Sequence, residues 1–126
     1  MRRFCSKIIQ LLLIYVIMEL KSVTSLICLL FAHYVGDSVL QPKWIGKSKT
    51  RFWHVMLIHC VIWTSCLCVV LYFFELFALW KALFLIAGHW ISDTLKTLKR
   101  RPSSMRKYNI VDQAWHIAQC LIVYLL

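Results

Sequence analysis

The segment FWHVMLIHCVIWTSCLCVVLYFFELFALWKALFLIAGHWISDTL, residues 52–95, decides the fold class. It reads as two apolar stretches, Phe52 to Phe74 and Leu76 to Leu95, joined by a minimal turn around Glu75 to Lys81. Crossing the hydrocarbon of a bilayer takes roughly 20 apolar residues as a helix, and each stretch supplies them. Ser22 to Leu40 and Ile110 to Leu126 flank the pair with two more. The expected fold is all-α, a polytopic transmembrane bundle of four helices over residues 22–126. Residues 1–21 are a hydrophobic N-terminal extension, expected as an interfacial helix or a short span. Arg2, Arg3 and Lys7 ahead of Ile8 to Met18 resemble the start of a signal sequence, although no cleavage site follows. Met18, leading directly into the first good span, is an alternative start.

Composition points the same way. The 126 residues are 61% hydrophobic and only 16% charged, with a mean hydropathy of +0.71. Soluble domains run about 45–50% apolar and about 25% charged, and a globule this small leaves a large share of its chain in water. A soluble enzyme, a disordered tail and a free-standing nucleic-acid module are therefore excluded. Five of the six cysteines (Cys28, Cys60, Cys66, Cys68 and Cys120) lie in apolar stretches without a C-x-x-C pair, and read as small buried hydrophobes.

The net charge of +10 is read as topology. Lys43, Lys47, Lys49 and Arg51 lie in the loop 41–51; Lys96, Lys99, Arg100, Arg101, Arg106 and Lys107 lie in 96–107. A hairpin separates the two loops, so both lie on one side, and ten basic residues there against Lys81 opposite make that side cytoplasmic. The expected location is the inner (cytoplasmic) membrane, multi-pass, with Trp44, Trp53 and Trp80 at the interfaces. The partner is the lipid bilayer, with anionic lipid head groups as ligands of the basic loops. No nucleic acid is expected, and a homo-oligomer is left open. Pro42 and Pro102 end helices; Asn109 is a candidate N-cap for the last one.

Three of the five acidic residues stand four positions from a histidine: His33 with Asp37, His89 with Asp93, and Asp112 with His116. Random placement gives roughly 0.4 such pairs, and this spacing brings two side chains together on a helix. Counted inward from Gln41, Phe52, Lys96 and Asn109, the imidazoles of His33, His59, His89 and His116 lie at about 11 Å depth and the three carboxylates at about 5 Å. All four helices contribute to one layer. Ionisable groups cost about 2.5–3.5 kcal/mol each inside a bilayer and normally face an interior with a task. His33, Asp37, His59, His89, Asp93, Asp112 and His116 are therefore candidate ligands of a divalent metal, Zn, Fe or Mn by their N/O donors. Asp37, His89 and Asp93 are the candidate catalytic residues, with Gln41 orienting them. Lys43, Lys47, Lys96 and Arg100 are candidates for holding an anionic head group or phosphate. His54, beside Arg51 and Trp53, reads as a surface residue.

The run His33-Tyr34-Val35-Gly36-Asp37, continuing through Gln41, resembles an uncharacterised bacterial and phage membrane-protein family, domain of unknown function 3307. The pattern continues with Lys47 or Lys49, His59, then His89, Asp93 and Lys96, and finally Asp112, Gln113 and His116, over about residues 24–126. The resemblance implies a four-helix membrane domain and adds Gln113 beside Gln41 as an orienting residue. It brings no activity.

Three functions compete. The first is a metal-dependent hydrolase acting on a membrane-associated substrate, where an ion lowers the pKa of bound water and a spare Asp or His moves the proton. The second is a proton or metal-ion transporter or relay, against which the outer halves of the helices offer few polar groups. The third is a non-catalytic phage-type protein, a holin or an anchor, which has no use for seven ionisable groups in one leaflet.

Overall fold

The computed structural model of the chain describes residues 2–98 and 105–126, and these are helical without a strand among them. The elements are α1 (Arg2–Tyr34), running on into a π-helical turn (Val35–Val39); α2 (Lys43–Ser48); α3 (Trp53–Phe73); α4 (Leu79–Leu98); and α5 (Met105–Leu125). α1 packs on α3, α3 on α4, α4 on α5, and α5 back on α1, which closes a four-helix ring. The short α2 lies against α3 and buries Ile45.

The π turn is where α1 departs from the regular helix expected through Leu40. Its backbone closes from the Leu40 amide to the Val35 carbonyl at 2.8 Å. Such wider turns are rare and frequently mark functional positions; here the turn carries Asp37. Gly36 permits it, because a Cβ at that position would stand 3.0 Å from Trp63 Cα. Pro42 then sets the extended backbone from which α2 starts.

The α3–α4 connection is equally specific. Glu75 takes φ 62°, and the amides of Glu75 and Leu76 bond back to the carbonyls of Tyr72 and Leu71. This is the left-handed helix stop usually occupied by glycine. Lys81, placed in the turn by the sequence, lies within α4 and is buried. Asn109 is not a cap, since α5 already begins at Met105. Pro102 lies outside the described residues.

Residues 1–21 were expected as a separate short element. In the structure α1 is continuous across that boundary, and what changes there is packing. Leu11, Leu12, Val16 and Leu20 are all exposed, and among the described side chains of α1 Ser25 is the first one buried in the bundle. Two contacts mark the junction: Lys21 with Glu75 at 3.6 Å, and Ser22 with the Tyr124 hydroxyl.

Two segments are long and apolar enough to cross a membrane, Ile9–Val39 and Trp53–Phe73. α4 and α5, expected as the third and fourth spans, fall short among the described residues because of what they carry. α4 holds Lys81, His89, Ser92, Asp93 and Lys96; α5 holds Asp112, Gln113, His116 and Gln119. Most of these point inward: His89, Asp93, Asp112, His116 and Gln119 are buried, while Leu83, Ile91, Leu95, Ile110, Val111 and Leu125 are exposed. Past the polar layer the interior is mainly apolar, formed by Leu29, Leu67, Leu71, Leu85, Cys120 and Val123, with Ser25, Thr64 and Lys81 also buried. Cys28, Cys60, Cys66, Cys68 and Cys120 are free thiols.

Candidate metal centre

The π turn, α3 and α4 bring together four donor atoms. His59 Nε2 lies 3.0 Å from His89 Nε2, 3.4 Å from Asp37 Oδ1 and 3.5 Å from Asp93 Oδ2. His89 Nε2 and Asp93 Oδ2, one helical turn apart on α4, are separated by 3.6 Å. A tetrahedral ion bonded at 2.0–2.1 Å places its donors about 3.3–3.4 Å from one another; the 3.4–3.6 Å spacings are close to that, while the 3.0 Å contact between His59 and His89 is a hydrogen bond between the two imidazoles. Two sets of three donors, each mutually within 4.8 Å, could hold an ion: Asp37, His59 and His89, and His89, Asp93 and His116.

Both His59 and His89 are fully buried, and so is His116. The Nδ1 atoms of His59 and His89, and both ring nitrogens of His116, have no hydrogen-bond partner. Buried polar atoms are nearly always paired. Four unpaired imidazole nitrogens in one cluster call for a further ligand or ordered water. His116 Nδ1 stands 3.8 Å from Asp37 Oδ2, and its Nε2 stands 3.7 Å from Asp112 Oδ1.

His33, expected as a ligand, has both nitrogens engaged elsewhere. Its Nδ1 accepts the indole N–H of Trp63 at 3.1 Å. The proton must then sit on Nε2, which faces Gln113 Oε1 at 3.2 Å. The Gln113 amide in turn donates to Asp37 Oδ2 at 2.6 Å. The π turn has displaced Asp37 from the His33 row, and Gln113 bridges the pair. Trp63, wholly buried, also stacks on His89 (centroids 4.2 Å, 24°), and His89 stacks identically on His116. Gln41 orients the site from below, donating its amide to the Asp37 backbone carbonyl at 3.1 Å.

Lysines enter the site in a way the sequence only half disclosed. Lys49 reaches in from the loop after α2, nearly buried, and places Nζ 2.5 Å from Asp93 Oδ2. Lys96 pairs with Asp112 Oδ2 at 2.7 Å, while the Ser92 hydroxyl donates to Asp112 Oδ1 at 2.7 Å. Asp112 thus has both oxygens occupied. Lys43 and Lys47 are exposed on α2, and Arg100 lies outside the described residues. His54 is exposed, as expected. Trp63, Ser92 and Gln119 escaped the sequence reading, although Trp63 stands four residues after His59 and Ser92 three after His89, spacings that share a helix face. Gln119 is wholly buried against Gly88, where a Cβ would fall 2.0 Å from its amide nitrogen.

A family model described as "Protein of unknown function (DUF3307)" matches residues 25–126, beginning at Ser25, where α1 enters the bundle, and covering every residue of the cluster. No curated protein and no solved structure matches. With the greater part of its length matched, the chain belongs to this family of proteins of unknown function, DUF3307.

Proposed function

We propose that the chain crosses the inner membrane with four helices and holds one divalent metal ion, Zn, Fe or Mn, near the cytoplasmic face, where it hydrolyses a membrane-associated substrate. The observation that carries this reading is the convergence of Asp37, His59 and His89 into one buried set of donors able to hold an ion, with Asp93 Oδ2 3.5 and 3.6 Å from the two imidazoles. The membrane reading is supported by the reversal of the usual pattern, with polar side chains inside and Leu, Ile, Val and Trp outside. Lys49, in the loop after α2, and Lys96, near the end of α4, find their carboxylate partners on α4 and α5, which puts both lysines at one end of the bundle.

Asp37, His59 and His89 are the ligands in this reading, and three protein ligands with an open fourth position are the pattern of a catalytic site. A divalent ion held there would supply a water acidic enough to lose a proton near neutral pH. Asp93, whose Oδ2 stands beside both imidazoles, would take up the proton. The Lys49 ammonium fixes the Asp93 carboxylate and offers positive charge to an anionic leaving group. Trp63, His33, Gln113 and Gln41 hold Asp37 in place through the contacts described above. The apolar core of Leu29, Leu67, Leu71, Leu85 and Val123 beyond the cluster favours a site open to one face over a path through the bundle.

The test is a turnover screen in nanodiscs over lipid-linked phosphates and esters, with protein loaded separately with each metal. Turnover that Asp93→Asn abolishes while the ion stays bound supports the reading. Absence of turnover, together with proton or divalent-ion flux in proteoliposomes, replaces it with transport.

A further inference from the structure

A groove of about 460 Å³ opens between α4 and α5 at the level of the cluster, within the about 300–1,000 Å³ typical of small-molecule sites. Its walls are the exposed side chains of Ile91, Leu95, Val111 and Trp115, and its polar end is Ser92, Lys96 and Asp112. Trp115 is fixed as a wall by its indole N–H, which donates to the Gly88 carbonyl at 3.2 Å. We infer that this groove seats one acyl chain of an anionic phospholipid, whose head group docks on Lys96.

The occupant follows from the asymmetry of the ion pair. The Asp112 side chain is 3% exposed and has both oxygens occupied, whereas the Lys96 side chain is 31% exposed and an ammonium has three donors. The open end of the groove is therefore cationic although the pair is neutral. The walls face the same lipid as the rest of the bundle surface, and a chain lying along them buries apolar area on both partners. Asp112 also stands 3.7 Å from His116 Nε2, so the head group would rest one side chain away from the cluster. The inference rests on the membrane reading of the proposed function and supplies its substrate class, a two-part amphiphile with a negative head.

The experiment uses the full chain in phosphatidylcholine nanodiscs doped with phosphatidylglycerol carrying a diazirine in one acyl chain, with adducts mapped by mass spectrometry. Adducts should concentrate on Ile91, Leu95, Val111 and Trp115 rather than on Leu83 and Ile117, which are also exposed on these helices. Leu95→Trp or Val111→Trp, which fill the groove from its lipid side, should remove them. A phosphatidylcholine probe should label the groove about fivefold less, the preference that one lysine near a membrane surface confers, and Lys96→Gln should erase the difference. Labelling spread evenly over Leu83, Ile117 and the groove would overturn the inference, as would equal labelling by the two head groups. Metal content and liposome flotation of the same variants keep a failure here distinct from a failure of the metal centre or of membrane insertion.

Discussion

The two halves of the bundle are lined by the same four helices and meet the same surroundings, yet their interiors differ. The half toward the α3–α4 connection, the outer half, is closed mainly by Leu29, Leu67, Leu71, Leu85 and Val123, with Ser25 and Lys81 buried beside them. The inner half encloses His59, His89, His116, Asp93 and Asp112, with Lys49 among them. Outward-facing residues do not change along the way: Leu83 and Ile91 on α4, and Ile110 and Leu125 on α5, are all exposed. A change of environment therefore does not explain the polar interior. Burying charges is expensive even when they are paired, and a well-packed apolar interior is often the more stable one. The apolar half holds the helices together; the polar half gathers buried groups that could hold a metal ion.

This contrast can be broken in stages. The largest expected effect is on chemistry alone: Asp93→Asn should lower turnover by about 10²–10⁴, the contribution of a positioned proton acceptor, while the ion remains bound and the helix content unchanged. Next comes the converse in the outer half. Leu67→Ala, at a position wholly buried, should cost about 2–5 kcal/mol of stability, read by thermal unfolding in detergent, with no change in metal content. If Leu67→Ala emptied the metal centre without unfolding the protein, the two halves would not be separable.

Smaller effects sharpen the boundary between ligands and the residues that orient them. Trp63→Phe keeps the ring on His89 but loses the N–H that fixes the His33 tautomer, and Gln113→Leu breaks the same chain one step later. Each should weaken metal binding by about 10–100-fold, measured by competition with a chelator, with the fold intact. Ring-nitrogen chemical shifts should show His33 protonated on Nε2 in the wild type and losing that single form in Trp63→Phe. The smallest effect lies at the far end: Glu75→Gly relieves a left-handed backbone at a cost of only an exposed ion pair with Lys21, and should stabilise by about 1 kcal/mol. Metal affinity should not notice it.

Much of the site was legible because helical periodicity is rigid. His89 with Asp93 and Asp112 with His116 meet across one turn at 3.6 and 3.7 Å, as their spacing requires, and equal depth brought His59 into the layer. The third pair was misleading for a physical reason: the π turn opens the helix between His33 and Asp37, and a regular periodicity has no sign for it. Lys49 stayed ambiguous with Lys47 because a loop fixes no direction; only α2, buried through Ile45, turns one lysine inward and leaves the other outside. The hydrophobic extension was visible as composition, but its continuity with α1 depends on the absence of any helix breaker before Gly36. α4 and α5 were read as spans from their apolar residues, and most of the polar residues that lower their hydropathy, His89, Ser92, Asp93 and Lys96 on α4 and Asp112, Gln113 and His116 on α5, belong to the cluster.

The central claim is that this cluster is a metal centre, and elemental analysis of detergent-purified protein tests it most directly. Wild type, His59→Ala, His89→Ala and the surface variant His54→Ala should be grown with Zn, Fe and Mn supplied in turn. The account predicts about one ion per chain in the wild type and in His54→Ala, and none in His59→Ala or His89→Ala, all four remaining folded. No ion in a folded wild type with any of the metals, or an ion retained by both His59→Ala and His89→Ala, would contradict it.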